Sequence, residues 1–253
     1  MKVYRAELHI HTVLSPCAEI EMLPPLIVME CLEKGISLIA ITDHNATANI
    51  SAVQQAAQGT ALIVLPGMEV QTREEVHSLC LFETLEQALA WQAIVDRHLP
   101  PLPNRPDYFG DQLIVDANGD FLQREERLLL NSVNLSLAEA YHQVTELGGL
   151  FIPAHVNRTA NGLLPILGMP PADIPLEVME ISHHLKLAEA VKIYPFLQGY
   201  SLIQSGDAHR LDEILGLNQF TLQSPTIQEI RLALRGEQGR SHRILSSTTL
   251  SEE

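Results

Sequence analysis

The amino-acid sequence predicts an α/β fold, a TIM-like barrel of seven or eight strand and helix units. Its 253 residues suit such a barrel, which typically needs about 250 residues. Short apolar runs of about four to eight residues recur along the chain, and longer segments with helical spacing separate them. Strands that alternate with helices are typical of a parallel sheet, because each crossover helix returns the chain to the same end of the sheet.

Seven of the apolar runs are predicted strands. They are Lys2–Ile10, Leu38–Thr42, Ala61–Val70, His77–Phe82, Leu150–Ala154, Leu176–Ser182 and Tyr200–Gly206. A helix is predicted over Leu26–Lys34, because Gly35 follows it. Later helix starts have the capping-box spacing, in which Ser or Thr is followed three residues later by Glu or Gln. These pairs are Thr84 with Gln87, Ser136 with Glu139, and Thr226 with Glu229.

The segment Leu99–Arg124 interrupts this alternation. It is rich in proline and contains a hairpin signal, Asp116-Ala-Asn-Gly119, between two apolar patches. We therefore expect one domain over residues 1–235, with residues 99–124 as an insertion or lid and residues 236–253 as a C-terminal tail. Composition does not decide whether the insertion covers a site or mediates oligomerisation, so the oligomeric state stays open.

Composition and charge limit the classes of function. No apolar stretch approaches the roughly 18 residues of a membrane span, and the N-terminal residues lack the apolar region of a signal peptide. Three scattered cysteines do not form a disulfide framework, which favours a cytoplasmic location. The net charge of -15 makes long nucleic acid an unfavourable partner but is compatible with a small anionic substrate, because bound cations reverse the local field.

Residue types that bind metals follow five separate apolar runs. Because the carboxyl ends of parallel barrel strands face the same mouth, we expect these side chains to meet in one cavity. They are His9 and His11, His44, Glu69, His155, and Asp207 with His209. His77 begins its apolar run instead, and it reaches the mouth if its strand runs in the opposite direction.

The spacing within two of these motifs indicates shared metal ions. Residues two apart on a strand project to the same side, so His9 and His11 can reach one cation, and Asp207 with His209 repeats this spacing. Glu69 can bridge two cations through its carboxylate. Neutral imidazoles suit zinc, iron or manganese. Any one of these histidines alone is more often a hydrogen-bonded structural residue, but five coincidences make that interpretation improbable for the set.

In order along residues 7 to 209, these motifs read His-x-His, Thr-Asp-His, Gly-x-Glu, Ala-His and Asp-x-His. The set resembles the polymerase and histidinol phosphatase (PHP) family, whose members are distorted barrels that hold three cations and hydrolyse phosphate esters. The resemblance implies one metal on His9, His11, Glu69 and Asp207, a second on Glu69, His77 and His155, and a third on His44 and His209. It also implies that Asp43 orients a ligand.

The chain departs from the family pattern after the first motif. Many members have Ser-Asp-Gly there, which supplies another ligand for the third metal, whereas this chain has Ser15-Pro-Cys-Ala-Glu19. Cys17 or Glu19 can substitute as a ligand, or the third site is weak, so two or three divalent ions are expected. A packed structural role for Cys17 is an equally good interpretation.

Phosphate binding usually adds arginines, because the guanidinium group matches the geometry of phosphate oxygens. Arg158, Arg210 and Arg73 lie close in sequence to the metal motifs and are candidates for substrate binding, although a surface arginine is often only solvated. His183 or His184, at the end of a predicted strand, is the candidate general acid. Structural roles for these two histidines fit equally well.

The sequence therefore predicts a metal-dependent phosphoesterase that hydrolyses a phosphomonoester or phosphodiester of a small molecule or nucleotide with a metal-bound water. One alternative is an amidohydrolase-like enzyme that hydrolyses C–N or lactone bonds. That class usually has a bridging lysine, and no lysine closes a mid-chain strand here. The other alternative is a non-catalytic regulatory module that a metal stabilises.

Overall fold

The structure, a computed structural model, describes residues 1–245. It contains eleven strands and eight α-helices. The strands are β1 (Lys2–Ile10), β2 (Leu38–Ile41), β3 (Ile63–Gln71), β4 (His77–Leu81), β5 (Leu113–Val115), β6 (Phe121–Arg124), β7 (Leu150–Pro153), β8 (Val178–Glu180), β9 (Ser201–Ile203), β10 (Asn218–Leu222) and β11 (Ser241–Ile244). The helices are α1 (Pro24–Glu33), α2 (Ile50–Ala56), α3 (Leu85–His98), α4 (Pro106–Phe109), α5 (Leu137–Glu146), α6 (Leu163–Leu167), α7 (Leu187–Ile193) and α8 (Ile227–Arg235), with 3-10 turns at Pro195–Gly199 and Leu211–Glu213.

The fold is mixed α/β and is built on a curled seven-stranded sheet. Its strand order is β11-β10-β1-β2-β3-β4-β7, and β8 and β9 form a separate parallel pair. A few backbone hydrogen bonds join this pair to the ends of β7 and β1: Val156 N–H donates to Glu180 O at 2.8 Å, His11 N–H donates to Ala208 O at 2.9 Å, and Ala208 N–H donates to His9 O at 3.0 Å. The ladders therefore enclose a half-barrel rather than the continuous barrel that the sequence predicted.

Strand direction also differs from the expected parallel barrel. Strands β1, β2 and β3 are parallel, but β4 pairs with β3 and β7 in the antiparallel direction. The chain connects β3 to β4 through a tight turn in which Thr72 N–H donates to Val76 O and Glu75 has φ +65°. A turn this short joins antiparallel neighbours, whereas a parallel connection needs a crossover of a dozen or more residues.

Each of the seven predicted strands contains an observed strand, and the helix-start signals explain where several helices begin. Thr84 and Ser136 each form a complete capping box with the residue three positions later. At α8 only half of the box forms: Thr226 accepts from Glu229 N–H, while the Glu229 carboxylate accepts from Arg240.

The core lies on both faces of the curled sheet. Leu38 and Ala40 of β2 pack in one buried cluster, whereas the alternate residues Ile39 and Ile41 pack in another. Strand β2 is buried along its whole length. Burial on both faces is typical of barrel strands covered by helices and explains their nearly continuous apolar sequence.

The insertion packs against the loop that follows β2. Within it β5 and β6 form the predicted hairpin. Asn49, which precedes α2, holds this hairpin: its amide donates to Leu113 O at 3.0 Å and accepts from Val115 N–H at 3.0 Å. The same amide nitrogen donates to Thr12 Oγ1 at 2.9 Å, so the hairpin is bonded to the segment that follows β1.

The regular structure continues beyond residue 235, where the tail was expected to begin. Strand β11 pairs with β10, which in turn pairs with β1 in the antiparallel direction. The last part of the predicted tail, residues 246–253, lies outside the described residues. The domain boundaries stay a prediction. No helix within residues 1–245 is long and apolar enough to span a membrane.

Candidate metal centre

All eight predicted metal ligands lie at one end of the curled sheet. His9 lies at the end of β1 and His11 just beyond it, and His44, His155, Asp207 and His209 lie in the segments that follow β2, β7 and β9. His77 reaches the same place from the start of β4, because that strand runs antiparallel to its neighbours. Six of the eight line a cavity of about 930 Å³: His44, Glu69, His77, His155, Asp207 and His209.

Glu69 is the centre of this cluster. Its carboxylate is fully buried, and imidazole nitrogens of five histidines lie within 3.4 Å of its two oxygens. Oε1 lies 2.9 Å from Nδ1 of His77 and 3.1 Å from Nε2 of His155, and Oε2 lies 3.0 Å from Nδ1 of His44. The remaining two are His9, at 3.3 Å from Oε1, and His11, at 3.4 Å from Oε2.

The two imidazoles of the His-x-His motif face each other across a short gap. Nε2 of His9 lies 3.2 Å from Nε2 of His11. The other ring nitrogen of each histidine lies within hydrogen-bonding distance of an acceptor: His9 Nδ1 is 3.0 Å from Glu180 Oε2, and His11 Nδ1 is 2.9 Å from Ser15 Oγ. When both Nδ1 atoms donate, two lone pairs meet in a buried space.

Asp43 holds this arrangement behind His11. Its carboxylate accepts from Thr12 N–H at 2.7 Å, from Thr12 Oγ1 at 2.8 Å and from Ser15 Oγ at 2.7 Å. Since Ser15 gives its single hydroxyl proton to Asp43, Ser15 Oγ is left to accept from His11 Nδ1. Asp43 therefore contacts His11 through Ser15, which is the kind of orienting position that the sequence predicted for it.

The charges in the cluster are those of a site for cations. Burial lowers the pKa of His9, but the nearby carboxylates of Glu180, Glu69 and Asp207 outweigh this and raise it well above the usual 6.5. Burial raises the pKa of Glu69, yet the surrounding histidines lower it well below 4.5. Burial, together with the charge of His11, lowers the pKa of His44 to about 4. The cluster therefore combines anionic carboxylates with neutral imidazole, which is the donor set of transition-metal sites.

The ligand atoms form three groups that could each hold a metal ion, because the atoms within a group lie within 4.8 Å of one another. The first group has the same four residues that the resemblance implied for one metal. The second contains His44 where the resemblance placed His155, and the third adds His11. In order, the groups are His9, His11, Glu69 and Asp207; His44, Glu69 and His77; and His11, His44 and His209.

The short distance between the Nε2 atoms of His9 and His11 tests whether this donor set fits a metal. Two buried ring nitrogens at 3.2 Å need a positive charge between or beside them; in the metal-free protein a proton supplies it, in line with the raised pKa of His9, and a metal cation can supply it instead. Glu69 Oε2 lies 3.0 Å from His44 Nδ1 but makes no well-oriented hydrogen bond among the described residues. The donors present therefore fit a divalent cation.

The substitute ligands do not join these groups. Cys17 is exposed at the cavity rim, and Glu19 pairs with Arg210, the two side chains being 2.9 Å apart. Neither residue belongs to a ligand group within the part of the chain that the structure describes. The third group thus has three imidazoles and no anionic ligand.

The structure separates the predicted phosphate-binding arginines. Arg158 and Arg210 line the cavity, and Arg158 Nη1 donates to Asp207 Oδ2 at 2.7 Å. Arg73 points elsewhere: it is exposed, it contacts Asn134 and Glu139, and it is not among the residues that line the cavity. Proximity in sequence placed Arg73 near Glu69, but the turn after β3 carries it away from the mouth.

His183 and His184 both line the cavity, with ring centroids 3.8 Å apart. Burial and the charge of His184 lower the pKa of His183. Two buried residues that support the cluster were not predicted to do so. Ser15 had a sequence signal, since it follows the His-x-His motif closely, whereas Glu180 ends an apolar run with no motif around it.

No family model matches the chain, and no curated protein matches it. Solved structures share its fold. Endonuclease Q from Pyrococcus furiosus, a lesion-specific endonuclease, is 20% identical with a TM-score of 0.70 over 95% of this chain and 58% of its own. A presumed metal-dependent phosphoesterase from Bifidobacterium adolescentis is 16% identical, with a TM-score of 0.55 over 98% of this chain and 94% of its own. An amidohydrolase from Chromobacterium violaceum, solved with sulfate and no metal, is 18% identical, with a TM-score of 0.56 over 96% of this chain and 99% of its own.

The identities of 20% or below establish a common fold only. This chain spans 58% of the length of Endonuclease Q, so more than a third of that protein has no counterpart here. Another structure of Endonuclease Q contains a 27-mer duplex substrate with an abasic lesion at the active site. That finding conflicts weakly with the expectation that long nucleic acid is an unfavourable partner for this chain.

Proposed function

We propose that this protein is a metal-dependent phosphoesterase of the PHP type, acting on a phosphomonoester or phosphodiester of a small molecule or nucleotide. The observation that supports this most strongly is the pair of facing Nε2 atoms of His9 and His11. They lie 3.2 Å apart beside the carboxylates of Glu69 and Asp207. Buried histidines and carboxylates are costly to a fold unless they are paired or bind a metal, and apolar residues would pack in their place at less cost.

Two or three divalent ions, zinc, iron or manganese, would be held by the three ligand groups. His155 would share the second site, since its Nε2 lies 3.1 Å from Glu69 Oε1. We expect the group of His11, His44 and His209 to bind most weakly, because it lacks a carboxylate. When bound, divalent ions supply Lewis acidity, which activates water and neutralises charge on phosphate oxygens.

The side chains around the cluster would bind and orient the phosphate. Arg158 and Arg210 on the rim donate hydrogen bonds that match phosphate oxygens. Arg158 already binds one anion, the carboxylate of Asp207, so a phosphate would be bound beside that pair. His183 or His184 would give a proton to the leaving-group oxygen, and the lowered pKa of His183 reduces the fraction of its imidazole that carries a transferable proton at neutral pH.

Amidohydrolase chemistry is the nearest enzymatic alternative, and an amidohydrolase has the same fold. Two features favour phosphate esters instead. Glu69 takes the bridging place, and no lysine lines the cavity within residues 1–245. A parallel assay of phosphate esters against cyclic amides and lactones separates the two classes. Turnover of the amides or lactones alone would refute the phosphoesterase proposal.

Nucleic acid is retained as a test substrate because Endonuclease Q shares the fold. The net charge of -15 still favours a small phosphoester or a nucleotide over a long duplex. The assay therefore includes p-nitrophenyl phosphate, a nucleotide, and a duplex oligonucleotide with an abasic site. The ranking of these three substrates gives the substrate class.

The central test removes one ligand from each side of the cluster. We expect His11→Ala and Asp207→Ala to lose nearly all hydrolysis of p-nitrophenyl phosphate, because each takes a donor from the same four-ligand group. His142→Ala is the matched control, since it removes an exposed imidazole on α5 that belongs to no ligand group and does not line the cavity. Unchanged turnover in both ligand variants would contradict the proposal.

Chelation distinguishes an enzyme from a metal-stabilised regulatory module. An enzyme with this site should lose hydrolysis on treatment with a chelator, keep its circular dichroism spectrum, and regain activity when manganese or zinc is restored. Loss of the folded structure, with no hydrolysis under any metal, would support the regulatory alternative.

A further inference from the structure

Glu180, the last residue of β8, is a buried carboxylate that none of the three ligand groups contains. We propose that Glu180 is the positioning residue of the metal centre, fixing the imidazole of His9 and the backbone of His155 with one carboxylate oxygen. This inference rests on the proposed metal-dependent function, because it concerns the support of the same ligands. It goes beyond that function by assigning a role to a residue outside the three ligand groups.

The contact with His9 selects which nitrogen faces the metal site. Oε2 of Glu180 lies 3.0 Å from His9 Nδ1 and also accepts from the backbone N–H of His155 at 2.9 Å. We assign His9 Nδ1 as the second donor to this oxygen, beside the backbone N–H of His155. The proton is thereby held on Nδ1, and the lone pair of His9 Nε2 points towards Glu69 and Asp207, 3.3 and 3.2 Å away.

The contact with His155 stabilises an unfavourable backbone conformation. His155 has φ +30°, in the left-handed region that residues other than glycine rarely adopt. Two hydrogen bonds from this turn end on the same residue: His155 N–H donates to the side chain of Glu180, and Val156 N–H donates to its carbonyl at 2.8 Å. These bonds hold the turn in the conformation that places His155 Nε2 beside Glu69.

One residue thus supports ligands that come from different parts of the fold. His9 belongs to β1 and His155 follows β7, yet their rings stack with centroids 5.8 Å apart. Glu69 contacts both imidazoles from inside the cluster, and Glu180 holds both residues from behind. His11 has a separate support in Ser15 and Asp43, so the role of Glu180 is not duplicated there.

Carboxylates that accept a proton from a metal-binding imidazole fix its orientation and raise its basicity, and their loss typically lowers metal affinity about 10- to 100-fold. We expect Glu180→Gln to lower cobalt affinity by about this factor. Glutamine keeps the size of the side chain, but its amide is neutral and has one acceptor oxygen instead of two. Its one amide oxygen can still accept from both groups, as Oε2 does, but without the negative charge that strengthens both hydrogen bonds.

The experiment measures cobalt binding to the full-length chain by competition with a chelator, together with the visible absorption spectrum of the loaded protein. Glu177→Gln is the matched control. It makes the same substitution at the start of the same segment, where the carboxylate pairs with Arg231 and Arg235 instead of a ligand. We expect weaker cobalt binding and an altered spectrum for Glu180→Gln, and wild-type behaviour for Glu177→Gln, with both variants folded by circular dichroism.

The outcomes separate this inference from the proposed function. If the wild-type protein binds no cobalt, zinc or manganese, the proposed function fails. If the wild type binds cobalt and Glu180→Gln matches its affinity and spectrum, the positioning role is overturned while the function stands.

A second measurement covers the case in which Glu180→Gln does not fold. In the zinc-loaded wild type, nitrogen-15 NMR of the imidazoles should show the His9 proton on Nδ1, the signal being assigned by its loss in His9→Asn. A proton on Nε2 would overturn the inference.

Discussion

Two walls of the cavity differ in how firmly they hold their ligands. The long-strand wall, formed by β1, β2 and β3, carries His9, His11 and Glu69, whose side chains have no exposed surface, and His44 with 7% exposed. The short-strand wall, formed by β8, β9 and the segment after them, carries Asp207 and His209 with 19% and 20% exposed. Strands β1 and β3 have nine residues each, whereas β8 and β9 have three each.

This difference in exposure indicates that the two walls have different roles. On the long-strand wall, His9 and His11 are held by hydrogen bonds to the buried residues Glu180 and Ser15, which orient both rings without a metal. Asp207 on the other wall has φ +53° and pairs with an exposed arginine, and His209 Nδ1 lies 2.9 and 3.6 Å from two oxygens of Asp207. This wall therefore combines metal binding with access for the substrate.

The largest expected effect on metal affinity is the difference between two histidine variants of the same ligand group. We expect His44→Ala to lower metal affinity by more than about 100-fold, because removing a ligand exceeds the 10- to 100-fold cost typical of losing an orienting partner. His209→Ala should cost about tenfold, since water can replace an exposed ligand. Isothermal titration with manganese measures both. Equal losses would remove the proposed difference between the walls.

A smaller effect should come from the relay behind His11. Ser15→Ala breaks the connection between His11 and Asp43, and we expect a loss of about tenfold in metal affinity. Ser205→Ala is its control on the short-strand wall, because Ser205 is equally buried and its hydroxyl has no hydrogen-bond partner among the described residues. Isothermal titration of both variants with manganese tests whether metal affinity depends on the contact between Ser15 and His11 or falls whenever a buried serine hydroxyl is removed.

The smallest effect should come from the rim. Arg158→Ala is expected to raise KM for p-nitrophenyl phosphate about fivefold with kcat little changed, because exposed charge pairs are worth about 1 kcal/mol or less. Arg158→Lys should recover only part of the loss, since lysine lacks the paired donors of arginine. A fall in kcat with constant KM would instead place Arg158 in the support of Asp207.

The sequence predicted the positions of seven strands and the convergence of eight side chains, because both follow from local patterns. Apolar runs define strands regardless of their partners, and residues that follow such runs lie at strand ends. The direction of β4 was open, since it depends on the length of the turn after β3. His77 was consequently the one ligand whose place the sequence left conditional.

Other features depend on contacts between distant segments, which no local sequence pattern reveals. Strands β10 and β11 were missed because their residues form no long apolar run; they extend the sheet because β10 pairs with β1 and β11 pairs with β10. Glu180 was not recognised as a support because its partners, His9 and His155, come from distant segments. Arg73 was misplaced because nearness along the chain does not give the direction of a side chain.

The hairpin of β5 and β6 has a consequence for engineering the chain. Asn49 bonds to β5 and to Thr12, and Thr12 bonds to Asp43, which holds Ser15 and through it His11. Deleting the hairpin would leave the buried amide of Asn49 without its backbone partners. It would also disturb the chain of hydrogen bonds that orients His11. A chimaera that exchanges this hairpin with one from another barrel should therefore carry its own residue 49 with it.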